Sequence, residues 1–194
     1  MIADPKLVSQ LRERTGAGIV ECKNALDEAG GDIEKAIEVL RKKGEIKAAK
    51  KLNERTTKEG LVHAYIHANG KVGAMVEVSC ETDFVARNEE FQAFVHDLAM
   101  QVAATNPLYV KPEDIPAEIV AKEKEMYLEE VQGKPPAVIE KILEGKLQKY
   151  YSEVCFLKQS FVKDEDITIE ELINQKIAKI GEKIEVKRFV RFQI

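Results

Sequence analysis

Val72-Gly73-Ala74-Met75-Val76-Glu77-Val78 runs directly into Ser79-Cys80-Glu81-Thr82-Asp83-Phe84-Val85-Ala86-Arg87-Asn88, and between the two the chain changes its period. From Val72 to Val78 the side chains alternate as in a half-buried strand. Beyond Asn88, Phe91, Phe94, Val95, Leu98 and Val102 recur at helical spacing. Thr82 to Arg87 is therefore expected to be a strand-to-helix turn. At its tip a large apolar residue, Phe84, stands beside Asp83 with no core partner in the pattern. That is the look of a binding knob, the alternative being a phenylalanine that folds back onto the helix it precedes.

Working back from this turn, the period is two from Gly60 onward. Val62, Ala64 and Ile66 share one face, and His63, Tyr65 and His67 the other. Asn69-Gly70 then marks a hairpin into the Val72 strand. Working forward, Asn88 is expected to cap a long helix through Thr105, which Asn106-Pro107 stops. Glu113 to Val131 and Pro135 to Tyr150 read as two helices joined at Gln132-Gly133-Lys134, an antiparallel helical excursion. A last helix begins near Thr168, buries Ile169, Leu172, Ile173, Ile177 and Ile180, and closes at Gly181. Ile184 to Ile194 alternates again and carries substantial residues on both faces, so both faces are expected to be covered. The fold class expected is α+β: a mostly antiparallel sheet of about three strands backed by helices.

The amino-terminal part is different. Asp4 followed by Pro5 is a helix start, and the first helix is expected to run to about Arg14. After the Thr15-Gly16-Ala17-Gly18 turn, Cys22, Ala25, Leu26 and Ala29 line one helical face that Gly30-Gly31 ends. Asp32 caps a third helix with Ile33, Ala36, Ile37 and Leu40 on its face. Residues 1–42 thus form a three-helix module, similar to the ubiquitin-associated type, of a size that is marginal alone. Residues 43–58 read as a basic, partly helical linker. Arg41 to Lys58 contains eight basic residues against Glu45 and Glu54, either an arm for RNA or a solvated tether. The core is assigned to 59–194.

With 194 residues and a formal net charge of −4, the chain has no general attraction for a phosphate backbone, and no direct nucleic-acid binding is expected. Cys22, Cys80 and Cys155 are odd in number and far apart, with neither a zinc spacing nor a disulfide framework, as in a reducing cytoplasm. No secretory segment or membrane-spanning run is found, so no membrane partner is expected. His63 and His67 lie four strand residues apart, about 13 Å, too far to share a metal. His96 has no triad neighbourhood. Gly16-Ala17-Gly18 follows a helix and lacks the third glycine of a dinucleotide fingerprint, and no phosphate-binding Gly-Lys-Ser or Gly-Lys-Thr loop occurs. No catalytic residue, metal or cofactor is expected, and the chain reads as a binding protein, not an enzyme.

Glu77-Val78-Ser79-Cys80-Glu81-Thr82-Asp83-Phe84-Val85-Ala86-Arg87 resembles the core signature of the bacterial translation elongation factor Ts family. Leu11-Arg12-Glu13-Arg14-Thr15-Gly16-Ala17-Gly18, with Lys23-Asn24-Ala25-Leu26, is similar to that family's amino-terminal signature. The likeness continues through Gly133-Lys134-Pro135, Glu144-Gly145-Lys146 and Gln159-Ser160-Phe161-Val162, in the form with a single core unit. The resemblance implies a guanine nucleotide exchange factor whose partner is the GTPase elongation factor Tu. It implies that Asp83 and Phe84 enter the GTPase domain, that Thr82 and Val85 shape the turn, and that Arg12, Ile19 and Val20 grip the same domain elsewhere. Ile19 and Val20 stand where methionines are associated with the family. A homodimer through the core is expected. The competing expectation is an adaptor whose ubiquitin-associated-like module recruits a partner protein.

Overall fold

The computed structural model describes residues 4–131 and 135–194. It is an α+β protein that divides into two compact units. The first gathers the chain up to Gly60 with Ser79–Asn88 and Glu171–Glu185; the second holds Leu61–Val78, Glu89–Glu170 and Val186–Ile194.

In the first unit, α1 (Pro5–Thr15), α2 (Ile19–Glu28) and α3 (Ile33–Glu54) pack together. The Asp4 carboxylate accepts from the Lys6 N–H at 2.9 Å, and Pro5 occupies the first helical position, where no N–H is needed. Gly16 ends α1 at φ 67°, a conformation costly for a residue with a Cβ, and its N–H returns to the Arg12 carbonyl at 2.7 Å. Leu11, Cys22, Ala25, Leu26 and Ala36 form the fully buried centre of this bundle. Burying each leucine contributes roughly 1.5–3 kcal/mol.

α3 extends well past the expected module boundary. The stretch read as a linker is helical to Glu54, and Ala48 within it is buried. The reason is that Gly44 is an isolated break among good helix formers and is tolerated. Three of the basic residues in this tract have carboxylate partners inside the unit: Arg41 with Glu171 at 3.1 Å, Lys43 with Glu28, and Arg55 with Glu81 at 3.1 Å. The remainder of the unit is the short α4 (Asp83–Ala86) and most of α8 (Ile169–Ile180), in which Ile169, Ile173 and Ile177 are buried as expected while Leu172 and Ile180 are only half-buried.

The second unit is built on a three-stranded sheet in the order β1-β2-β5, with β1 at Glu59–Ile66, β2 at Val72–Cys80 and β5 at Glu185–Gln193. The hairpin at Asn69-Gly70 forms, with a longer loop than the two-residue turn that the dipeptide most often signals. The His67 N–H reaches the Val72 carbonyl at 2.8 Å, Gly70 adopts φ 67°, and the Asn69 side chain accepts from the Lys71 N–H at 3.0 Å. β5 runs antiparallel to β2: Ile194 donates to the Lys71 carbonyl at 3.0 Å, and Arg188 bonds Glu77 at 2.6 Å.

α5 (Glu89–Thr105) buries Phe91, Phe94, Val95, Leu98 and Val102, the residues named by periodicity, and the Ala103 carbonyl accepts from Arg191 Nε of β5 at 2.9 Å. The two faces of β1 that alternation separates differ in burial. Leu61, His63 and Tyr65 are half-buried, whereas Val62, Ala64 and Ile66 are exposed.

α6 (Ala117–Glu130) and α7 (Pro136–Val154) pack side by side, held by the Lys146–Glu130 ion pair and by Lys146 Nζ 5.0 Å above the Tyr127 ring. The expected joint at Gln132-Gly133-Lys134 lies outside the described residues. The first helix starts later than expected, because Pro112–Asp114 forms a 3-10 turn and Pro116 precedes Ala117. A second, two-stranded sheet was not anticipated: β3 (Ser160–Phe161) pairs antiparallel with β4 (Asp164–Thr168). A buried amide pair supports it. Gln101 donates to the Ser160 carbonyl at 3.0 Å and accepts from the Val162 N–H at 2.9 Å, while Gln159 accepts from the Thr105 hydroxyl at 2.6 Å.

Candidate functional site

The turn that follows β2 is α4, a single helical turn whose residues are held from several directions. Thr82 is its N-cap, the hydroxyl accepting from the Val85 N–H at 3.4 Å. The Ala86 and Arg87 N–H groups close onto the Thr82 and Asp83 carbonyls at 3.2 and 3.0 Å. Ala86 is buried and Val85 half-buried, so they anchor the turn. Phe84 lies on the opposite side and is 83% exposed. The reading in which this phenylalanine folds back onto the following helix is therefore not what is found. Asp83 is half-exposed and pairs with Arg87 one turn on at 3.2 Å. Such an exposed pair contributes little stability, so the carboxylate is not committed to the fold.

Two features of the turn's support lie far away in sequence. The Glu182 carboxylate accepts the Glu81 and Thr82 N–H groups, both at 3.1 Å, and the Thr82 hydroxyl at 2.7 Å. In the opposite direction the Glu81 carboxylate accepts the Lys183 N–H at 2.5 Å and the Arg55 guanidinium at 3.1 Å. The Cys80 thiol donates to the Thr82 carbonyl at 3.2 Å. Burial, with a further contribution from the negative charge of Glu182, pushes this thiol up to about 11, so it stays protonated and unreactive at neutral pH. The one local signal for Glu182 was its place directly after the helix-ending Gly181, which adopts φ 89°. Periodicity gave no hint of its target.

The residues singled out in the amino-terminal module are also on the surface. Ile19 and Val20, in the first turn of α2, are 58% and 69% exposed, and Arg12 is exposed on α1. The α2 start is shaped by Glu21, whose carboxylate accepts the Gly18 N–H at 3.3 Å. Arg12, Ile19 and Val20 belong to the same compact unit as Thr82, Asp83, Phe84 and Val85.

Sequence reasoning missed one cluster. His63 Nε2 and His96 Nδ1 are 3.0 Å apart, the edge of Tyr65 meets the His96 ring at 5.5 Å between centroids, and the Tyr65 hydroxyl reaches His67 Nδ1 at 3.1 Å. Helix α5 thus brings His96 over β1. Partial burial, and then the neighbouring imidazole, hold His63 below the ordinary histidine value. Among the described residues no group of three or more His, Cys, Asp or Glu is arranged to hold a metal ion. Nor is any described helix long and apolar enough to cross a membrane.

Comparison with known proteins matches residues 7–194 to the family model described as Elongation factor TS. The chain is similar to the elongation factor Ts of Moorella thermoacetica, 58% identical over 189 residues that cover 96% of this chain and 93% of that one. Against its counterpart in Fervidobacterium nodosum it is 56% identical over 191 residues, 97% and 96% of the two chains. Against that of Thermotoga maritima the identity is 53% over 188 residues, 97% and 94% of the two chains.

Proposed function

The chain belongs to the elongation factor Ts family and is a translation elongation factor; from that premise we propose that it acts as a guanine nucleotide exchange factor, binding elongation factor Tu·GDP and promoting release of GDP. The observation that carries the reading is the exposure of Phe84 on a turn whose entry is held by Glu182 and whose cap is the Thr82 hydroxyl. A large apolar side chain held out in this way has its burial energy still to gain, and a partner cleft is where it gains it.

An exchange factor must bind the distorted nucleotide site better than the intact one, because equal affinity for both states shifts nothing. Weakening GDP by about 10⁴ requires roughly 5.5 kcal/mol of such differential binding. Burial of Phe84 supplies roughly 1.5–3 kcal/mol. Contacts of Arg12, Ile19 and Val20 with the same GTPase domain supply affinity, and the remainder comes from disturbing the Mg²⁺ that clamps the phosphates in the partner. Asp83 brings an oxygen ligand close to that hard cation's shell. The chain itself needs no cofactor and performs no bond-making step. The working compartment is the cytoplasm.

A homodimer belongs to the same reading. Val62, Ile66, Met75, Val190 and Phe192 are all exposed on β1, β2 and β5, an apolar face that a second copy covers through the same patch. The exchange activity is tested by following fluorescent GDP leaving purified elongation factor Tu. A release rate that rises with the concentration of this protein and saturates is expected. A rate equal to spontaneous release at all concentrations overturns the reading.

A further inference from the structure

The knob's tip residues are explained by what they touch in a partner, but their presentation depends on a carboxylate 100 residues further on. Glu182 satisfies three donors of the segment entering α4: the N–H groups of Glu81 and Thr82 at 3.1 Å and the Thr82 hydroxyl at 2.7 Å. These donors precede the helical turn, so without an acceptor they would turn to water or to alternative local conformations. The contact is reciprocal, since Glu81 accepts the Lys183 N–H at 2.5 Å. Arg55 spans both segments, donating to Glu81 at 3.1 Å and to the Gly181 carbonyl at 3.4 Å. Asp83 and then Phe84, next in sequence, are thereby aimed by a clamp whose named contacts involve neither side chain.

We propose that Glu182 is a positioning residue for exchange, a carboxylate that pre-sets the Thr82–Ala86 turn so that Phe84 is already in its docking conformation in the free protein. The inference rests on the exchange reading above. Its logic is that a partner pays for any scarcity of the competent conformer. If loss of the clamp leaves about one molecule in ten competent, the effective affinity falls about tenfold. The chemistry of the acceptor set also makes a sharp prediction about replacement. A glutamine at 182 keeps one oxygen for the two backbone N–H groups and turns an amide N–H toward the Thr82 hydroxyl oxygen, so all three contacts survive. An aspartate is one methylene too short to reach them.

GDP release from elongation factor Tu is to be measured with the full-length wild type, Glu182→Ala, Glu182→Asp, Glu182→Gln, Phe84→Ala and the Phe84→Ala/Glu182→Ala double variant. Glu182→Ala and Glu182→Asp are expected to lower kcat/KM about tenfold, while Glu182→Gln stays within about threefold of wild type. Because Glu182 acts through the knob, the double variant is expected to stay within about threefold of Phe84→Ala alone, the remainder being the displacement of Asp83. Wild-type activity together with an unaffected Glu182→Ala, or with effects that multiply in the double variant, overturns the positioning role while the exchange reading stands. If wild type itself does not accelerate release, the exchange reading fails. The clamp is also tested without any partner, by hydrogen exchange in the free protein. Glu182→Ala is expected to speed exchange of the Glu81 and Thr82 amides at least about tenfold, with the α5 amides unchanged. Unaltered protection at these two amides overturns the proposal.

Discussion

Phe84 has almost nothing to lose in the fold, and under the proposed function it gains its burial in the complex. At 83% exposure, Phe84→Ala is expected to change folding stability by less than about 0.5 kcal/mol, far from the 3–5 kcal/mol of a core phenylalanine. The same substitution is expected to slow GDP release about 30-fold, equivalent to about 2 kcal/mol. Asp83→Ala is expected to act in the same direction and less strongly, and in the fold it gives up an exposed pair with Arg87. Melting temperature and release rate on the same two variants check both statements. His63 gives a second residue-scale prediction. Its value is depressed below the ordinary 6.5, by partial burial first and by His96 second, so the unfolded chain takes up a proton at a higher pH than the native one. The associated stability is fully present above about pH 6.5 and is lost as pH falls through the native value. His63→Gln is expected to flatten the fall of melting temperature between about pH 7 and 5. An unchanged slope would show that the imidazole contributes nothing to it.

At the scale of single elements, α7 carries an avoidable weakness. Gly145 sits in the middle of Pro136–Val154, and a Cβ built there meets no atom within 4 Å. Gly145→Ala removes backbone entropy from the unfolded chain without a steric cost and is expected to stabilise the protein by about 0.5–1 kcal/mol. That corresponds to roughly 1–4 °C in melting temperature for a chain of this size. The outcome is read by thermal unfolding. A decrease would mean that α7 is not helical through this position in solution. Gly73, the second residue of β2, is the instructive contrast: a Cβ there would lie 2.6 Å from Ile66 Cδ1, so any larger residue obliges the Ile66 side chain to shift.

At the scale of the whole molecule, the exposed face of the sheet bears on assembly. Ile66 and Phe192 are 66% and 71% exposed, and with Val62, Met75 and Val190 they make a larger apolar surface than scattered single residues would. Light scattering at micromolar concentration is expected to return twice the chain mass. Phe192→Glu, which sets a charge in the middle of a self-complementary patch, is expected to return the monomer while the far-ultraviolet spectrum is kept. A wild-type monomer under these conditions would leave the sheet face without a second copy and remove the dimer from the proposed function.

Much of this protein is written in short-range pattern. The switch from period two to helical spacing around Cys80, the Asp4-Pro5 start, the glycine at the end of α1 and the apolar face of α5 all depend on residues within one turn or one strand of each other. Local sterics and backbone hydrogen bonding decide such features, so the fold class and the exposed position of Phe84 were legible before any coordinate. The tertiary structure alone decided the rest. Which face of β1 turns inward is set by where α5 packs, and alternation is symmetric between the two faces. β3 has two residues, too few for a period, and is supported by Gln101, which donates to the Ser160 carbonyl and accepts from the Val162 N–H just beyond it. His96 meets His63, and Glu182 meets Thr82, across separations of 33 and 100 residues. No pattern of neighbours along the chain can encode such contacts, because they form only when separate elements are brought together by burial of the cores they share.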